Sequence, residues 1–307
     1  MTDTLSPAYD VVVIGGGPAG LNGALMLARS RRTVAVIDAG HPRNAPAHAI
    51  HGLLGHDGTP PAELLERGRA EVRGYGGHVV SGVVIDAART DDGFTVTLAD
   101  GRTSSARRLL VTTGLTDVLP DIAGLRDRWG QDVLHCPYCH GWEVRDQAVG
   151  VLSTSVMSVH QALLFTQLTD DVTFFRHAGD LADDDLAKLK ARGVAIVDGT
   201  VTGVEVSEDR LTGVRLDDGS VVARQALVVG PRFVANAAFL HSLGLVAVEH
   251  SSGVGEHIVA DPTGRTDVPG VWAAGNVCEF SAQVGMSAAA GAFAGAQINA
   301  ELVLEGL

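Results

Sequence analysis

The chain has 307 residues, 46% apolar and 19% charged, with 38 glycines and 11 prolines, which excludes collagen, a disordered chain and a disulfide-stapled miniprotein. Its 23 basic and 36 acidic residues leave a formal charge of −13, and no Lys/Arg run exceeds the pairs Arg31-Arg32 and Arg107-Arg108, so nucleic acid and anionic membrane are poor partners. No apolar run approaches the roughly 20 residues that span a bilayer, and Met1 to Asp10 lacks the layout of a signal peptide, so we read a cytoplasmic protein of about two domains.

The first apolar, β-rich run is Tyr9 to Ile14, and it ends in Gly15-Gly16-Gly17-Pro18-Ala19-Gly20. Leu21, Leu25 and Ala28 then recur at helical spacing through Ser30, and a second apolar run, Thr33 to Ile37, closes on Asp38. Within this strand, turn, helix and strand, Gly15-x-Gly17-x-x-Gly20 puts glycine where the turn is tight, where backbone must approach a pyrophosphate and where helix meets strand. Asp38 stands about 20 residues on, where a carboxylate can bond ribose hydroxyls. The pattern predicts dinucleotide binding, with a plain glycine-rich turn as the bland alternative.

A polar loop rich in Pro and His, Gly40 to Pro61, leads to a helix-like segment, Ala62 to Tyr75. Alternation predicts strands over His78 to Ile85 and Phe94 to Leu98, with Asp100-Gly101 as a hairpin turn, and Arg107 to Thr113 is a further run closing on Thr113-Gly114. From Asp117 a second unit begins: a polar segment, a cysteine pair, a strand (Ala148 to Leu152), a helix (Val156 to Leu168) and a strand (Val172 to Phe175). Strands follow at Val194 to Val197, Gly203 to Glu205, Gly213 to Leu216 and Leu227 to Val229, after an acidic helix start at Asp183-Asp184-Asp185. The repeated order predicts an α/β fold with two Rossmann-like βαβ nucleotide-binding domains in three layers. The last segment carries the short strand beginning Val271-Trp272-Ala273 and an Ala/Gly-rich helix from Gln283 through Leu304, whose small residues permit close approach to the first domain.

Cys136 and Cys139 form a C-x-x-C, a spacing that in a reducing compartment indicates redox chemistry or metal before a structural staple. At i and i+3 the two thiols can lie one helical turn apart and exchange a disulfide with little backbone movement. Pro137 suits a first helical turn, where its missing N–H costs nothing, and a helix N-terminus favours thiolate. A zinc half-site lacks its second C-x-x-C, Cys278 stands alone, and His135 and His140 flank the pair awkwardly for chelating the same ion, so no metal is assigned; an inert reduced pair is the remaining plain alternative.

Three motifs in order resemble the low-molecular-weight thioredoxin reductases: Val13-Ile14-Gly15-Gly16-Gly17-Pro18-Ala19-Gly20, Cys136-Pro137-Tyr138-Cys139-His140-Gly141, and Val268-Pro269-Gly270-Val271-Trp272-Ala273-Ala274-Gly275-Asn276-Val277. The resemblance implies a discontinuous FAD domain (1–117 and 244–307) with an inserted domain (118–243) that carries the cysteines and normally binds NADPH. It implies that Gly15, Gly17, Pro18, Ala19 and Gly20 hold the FAD pyrophosphate and Asp38 the ribose. Gly275 and Asn276, the latter where the family usually has Asp, would meet the ribityl chain and phosphates, and Gln283 and Val284 would offer helix N-terminal amides to the flavin. Thr113 and Gly114 complete this set. It further implies that Cys139 faces the flavin, that Cys136 meets the external thiol, and that the protein is a homodimer.

The inserted domain departs from that family. Where a second glycine-rich turn belongs, the chain reads Ser153-Thr154-Ser155-Val156-Met157-Ser158, and the basic pair that grips the NADPH 2′-phosphate falls on His177-Ala178, with Arg176 as the permanent cation nearby. NADPH is therefore not expected. What remains resembles the FAD-dependent dithiol oxidases of disulfide natural-product pathways, such as those for gliotoxin and holomycin, which share C-x-x-C-His-Gly and a His-rich stretch like Asn44 to Gly58. The expectation is an FAD enzyme that oxidises a small-molecule dithiol, or a protein thiol, with dioxygen as acceptor. Catalysis falls to Cys136, Cys139 and His140, whose imidazole can take and return a proton near neutral pH, a merely polar turn residue being the plain alternative for His140. The alternatives are a reductase fed by NADPH or another donor such as ferredoxin, and a non-enzymatic flavin redox sensor. Cys278 reads as a buried bystander or a third redox thiol, and His48, His51 and His56 as pocket residues, a relay or solvated loop histidines. Trp129, Tyr138 and Trp142 read as the entrance to the cysteines or as core.

Overall fold

In the computed structural model, which describes residues 2–177 and 179–305, the chain forms two compact units, Met1–Thr116 with Phe233–Leu307, and Asp117–Arg232. The chain enters the second unit at Asp117, beside the expected boundary, and leaves it at Arg232, well before residue 243. The reason is local. Phe233 and Val234 pair in parallel with Gly255 and Glu256, and the Phe233 ring packs 5.1 Å from that of Phe280, which fixes this stretch in the first unit.

The first unit is built on a seven-stranded sheet in the order His78–Ser81, Val34–Asp38, Ala8–Ile14, Thr103–Val111, Gly93–Leu98, Val84–Thr90, with Val271–Ala273 added in parallel to Thr103–Val111. Val11, Val12 and Val13 of the central strand are fully buried, as a parallel strand covered on both faces must be, each burial being worth about 1.5–3 kcal/mol. The expected strand His78 to Ile85 is two strands, because Gly82 and Val83 break the ladder and the chain turns into the antiparallel hairpin Val84–Thr90/Gly93–Leu98.

Two helices meet closely on this sheet. The helix Pro18–Arg29 starts on Pro18 with Gly17 as its N-cap and ends where Arg31 turns left-handed at φ 62°. The C-terminal helix Val284–Leu304 lies on it through glycine: a Cβ at Gly291 would stand 1.9 Å from the carbonyl oxygen of Ala19, and one at Gly295 would stand 2.6 Å from that of Gly23. Any side chain there would drive the helices apart.

The second unit carries a five-stranded parallel sheet in the order Ala195–Val197, Val172–Phe175, Val149–Leu152, Ala226–Val229, Val133–Leu134, and a three-stranded antiparallel sheet of Val201–Ser207, Arg210–Leu216 and Val221–Ala223. Leu125, Leu152, Phe175 and Val214 fill one core and Val149, Val151, Phe165 and Phe174 the other. The helix expected over Val156 to Leu168 is shorter, Ser158–Phe165, because the serines before it are spent on the turn described below. Among the described residues, no helix is long and apolar enough to cross a membrane.

Candidate functional site

At the first turn, Gly15 has φ 107°, and a Cβ there would strike the Thr112 carbonyl at 2.4 Å; a Cβ at Gly20 would lie 1.9 Å from the Gly15 carbonyl oxygen. Both glycines are demanded by packing. Gly17 differs: its backbone is ordinary and a Cβ there would meet nothing within 4 Å. The helix N-terminus that Gly17 opens has no side-chain cap and no acid in its first turn, so its amides face an open cradle with the polarity an anion needs. Thr112 braces the turn by donating to the carbonyls of Ile14 and Gly15.

Asp38 ends the second strand, half-buried; its carboxylate accepts from the Gly40 amide at 3.2 Å and from Arg69 at 3.0 Å. Arg69 was not expected. It reaches from the helix Pro61–Gly74, and sequence separation hid it. Thr113 donates its hydroxyl to the Asn236 carbonyl, the Asn236 side chain returns a bond to the Thr113 carbonyl, and Gly114 takes φ 66°.

Gly275 and Asn276 follow the strand Val271–Ala273. The amide of Asn276 donates to the carbonyls of Glu279 and Ala282, both at 2.9 Å, and of Phe280 at 3.3 Å, while its oxygen accepts from Arg43 at 3.2 Å. A carboxylate could make none of the three carbonyl bonds, which accounts for Asn here. Gln283 is the N-cap of the C-terminal helix and Val284 its first residue; that helix also lacks a side-chain cap and a first-turn acid. The first unit thus holds two open helix N-termini and a strand-end carboxylate, a set of donors and an acceptor that fits FAD.

In the second unit Cys136 and Cys139 are joined in a disulfide, their Cα atoms 5.2 Å apart. Cys136 caps the short helix Pro137–His140, and its carbonyl accepts from the amides of Cys139 at 3.2 Å and His140 at 3.1 Å. The spacing C-P-x-C therefore folds into one turn, with Pro137 at N1 and both cysteines and His140 half-buried. Gly141 lets the chain pass: a Cβ there would lie 2.2 Å from the Pro137 carbonyl oxygen. Tyr138 and Trp142 stand 70% and 65% exposed, Trp142 under the Arg145 guanidinium at 4.2 Å. Trp129 instead packs against the core of Leu125 and Val133, so of the three aromatics it alone takes the core role.

The second turn is closed by its own side chains. The buried hydroxyl of Ser158 accepts from the amides of Thr154 at 3.1 Å and Ser155 at 3.2 Å, the Ser155 hydroxyl accepts from the Met157 amide, and the Thr154 hydroxyl accepts from the Gly230 amide. Nearby, Arg176 is bonded to Asp198 at 3.0 Å; His177 accepts the Val201 amide through Nδ1, and burial holds its pKa below the usual value. Ala178, the partner of His177 in the expected phosphate grip, lies outside the described residues.

The remaining candidates disperse. His51 is bonded to Asp57 at 3.3 Å, His48 is exposed, and His56 turns a buried Nδ1 inward. Burial pushes the Cys278 thiol up to about 12, with the Glu279 charge adding to it. Asp183, Asp184 and Asp185 form the first turn of the helix Asp183–Ala191, Asp185 bonding Lys188. Among the described residues no group of three or more His, Cys, Asp or Glu is placed to hold a metal.

Residues 9–296 match the family described as pyridine nucleotide-disulphide oxidoreductase. The thioredoxin reductase sirT of Leptosphaeria maculans is 33% identical, covering 96% of this chain and 95% of that protein. The thioredoxin reductase tcpT of Claviceps purpurea is 30% identical, with 98% and 96% covered. The crystal structure of HlmI matches 99% of this chain and 95% of its own at a TM-score of 0.91 and 48% identity.

Proposed function

The chain belongs to the pyridine nucleotide-disulphide oxidoreductase family, thioredoxin reductase-like flavoenzymes, and we propose that within it this protein is a dithiol oxidase, joining two thiols of a small molecule into a disulfide with dioxygen as acceptor. One observation carries the reading. The redox pair is complete, whereas the turn that should grip a pyridine nucleotide has its amides taken by Ser158 and Ser155 and its nearby cation taken by Asp198. Electrons can therefore enter through a thiol, and the amides of Thr154, Ser155 and Met157, spent on hydroxyls of the same turn, disfavour a pyridine nucleotide there.

FAD fits the first unit: the glycine turn of Gly15, Gly17 and Gly20, with the helix start at Pro18 and Ala19, would receive its pyrophosphate through the free N–H groups of that turn, Pro18 having none to give; Asp38 would hold its ribose and Gln283 and Val284 its flavin, with Thr113, Gly114, Gly275 and Asn276 alongside. Bound there, it supplies a two-electron acceptor for the reduced cysteines, with hydrogen peroxide as the final product of dioxygen.

The chain's own residues do the rest. A substrate thiol passes its proton to His140, and its sulfur attacks Cys136 Sγ; the Cys136–Cys139 bond breaks and Cys139 leaves as thiolate. The second substrate thiol attacks the mixed disulfide, releasing the substrate disulfide, and Cys136 leaves as a thiol carrying that second proton. Two electrons have moved from substrate to the pair, one proton sits on His140 and one on Cys136, and the charges of imidazolium and thiolate balance. Exposed Tyr138 and Trp142 offer an apolar approach for the substrate.

Dithiothreitol in air tests this. The purified yellow protein should release peroxide, and Cys136→Ser and Cys139→Ser should each keep FAD and lose at least about 10³-fold of that rate, since each removes a covalent partner. Peroxide formation that survives Cys139→Ser contradicts the assignment of the thiolate.

A further inference from the structure

Gln161 lies on the helix Ser158–Phe165 that follows the closed turn, where it is 6% exposed. Its side-chain nitrogen reaches back to the residue before the first redox cysteine, standing 3.0 Å from the His135 carbonyl oxygen and 2.9 Å from His135 Nδ1. The carbonyl fixes the orientation of the amide, because only the NH₂ end can face an oxygen acceptor. The second amide hydrogen then points at Nδ1, which must offer a lone pair. The other end of the amide confirms the commitment: Gln161 Oε1 is buried with no hydrogen-bond partner, a loss accepted so that both donors serve His135.

His135 Nδ1 also lies 3.2 Å from the Val229 carbonyl, which can bond it only if Nδ1 carries a hydrogen. Gln161 and Val229 therefore demand opposite protonation states of Nδ1, and the nearer of them, Gln161, selects the neutral ring with its hydrogen on Nε2.

We propose that Gln161 is a positioning residue that locks His135 in the Nε2–H tautomer and fixes its ring beside Cys136. The helix Ser158–Phe165 behind the closed turn thereby supports the redox segment. With Nδ1 occupied, His135 cannot take the substrate's proton at that atom, which leaves the role to His140. The inference rests on the reading of Cys136 and Cys139 as the reacting pair.

Nitrogen NMR of the oxidised, FAD-loaded protein labelled at histidine tests it, with the His135 signals assigned by their loss in His135→Asn. The wild type should show a bare Nδ1 and a protonated Nε2. Gln161→Glu fills the same space and, at a pH where its carboxyl is ionised, can only accept, so the hydrogen should move to Nδ1; Gln161→Leu should release Nδ1 toward the Val229 carbonyl with the same result. A protonated Nδ1 in the neutral wild-type ring, or an unchanged tautomer in Gln161→Glu, overturns the proposal. In the chemically reduced protein, iodoacetamide should react with Cys136 about tenfold more slowly in Gln161→Leu, as misplacement of a reacting group costs up to about 10²-fold; an unchanged rate removes the link to the redox pair. Neither readout needs a substrate or an acceptor, so failure of the oxidase reading and failure of this proposal are told apart.

Discussion

Cys278 and the pair Cys136/Cys139 are all half-buried and differ in what surrounds them. Desolvation and the Glu279 charge raise the Cys278 thiol to about 12, so near pH 8 it stays protonated, whereas the pair sits at a helix start. After reduction without oxygen, iodoacetamide near pH 8 should label two cysteines in the folded protein and a third only on unfolding; rapid labelling of Cys278 in the folded chain contradicts the bystander role. Gly20, Cys136 and Cys139 were legible because their chemistry depends on near neighbours in the chain, and Gly15, which distant Thr112 constrains, was legible through its motif spacing. Arg69 on Asp38, Arg43 on Asn276 and Gln161 on His135 were not, because each is a meeting of separate elements that no local spacing encodes.

The two tight helices of the first unit separate what glycine does for packing from what it does for a ligand. Gly291→Ala would set a Cβ 1.9 Å from the Ala19 carbonyl and should destabilise the protein by about 1–3 kcal/mol in denaturant unfolding, as overpacked cores do. Gly17→Ala adds a Cβ to open space and should leave the apoprotein stable to within about 0.5 kcal/mol, yet weaken FAD binding at least about tenfold, because the side chain enters the cradle. A Gly17→Ala protein that binds FAD as tightly as wild type contradicts the cradle. Period and turn chemistry made most strands readable, and they also made the Ala/Gly helix Val284–Leu304 readable. They failed at His78 to Ile85, where the alternation ran across Gly82 and hid a chain reversal, and at Ser153 to Ser158, where serine read as a lost glycine while the folded turn uses it as an internal cap.

On the scale of the whole molecule, the two βαβ units share a plan and differ in what their turns leave open. The first presents bare helix amides; the second has spent its amides on its own hydroxyls. A surface of formal charge −13 adds to this, since it disfavours a phosphate-rich donor and leaves a small neutral thiol indifferent. The central claim is that electrons enter through the cysteine pair from a dithiol and not from a pyridine nucleotide. It is tested most directly by mixing the FAD-loaded protein, without oxygen, with NADPH in one cuvette and dithiothreitol in another. We predict that dithiothreitol bleaches the flavin, that air restores its colour, and that NADPH leaves it yellow; rapid bleaching by NADPH alone would contradict the account.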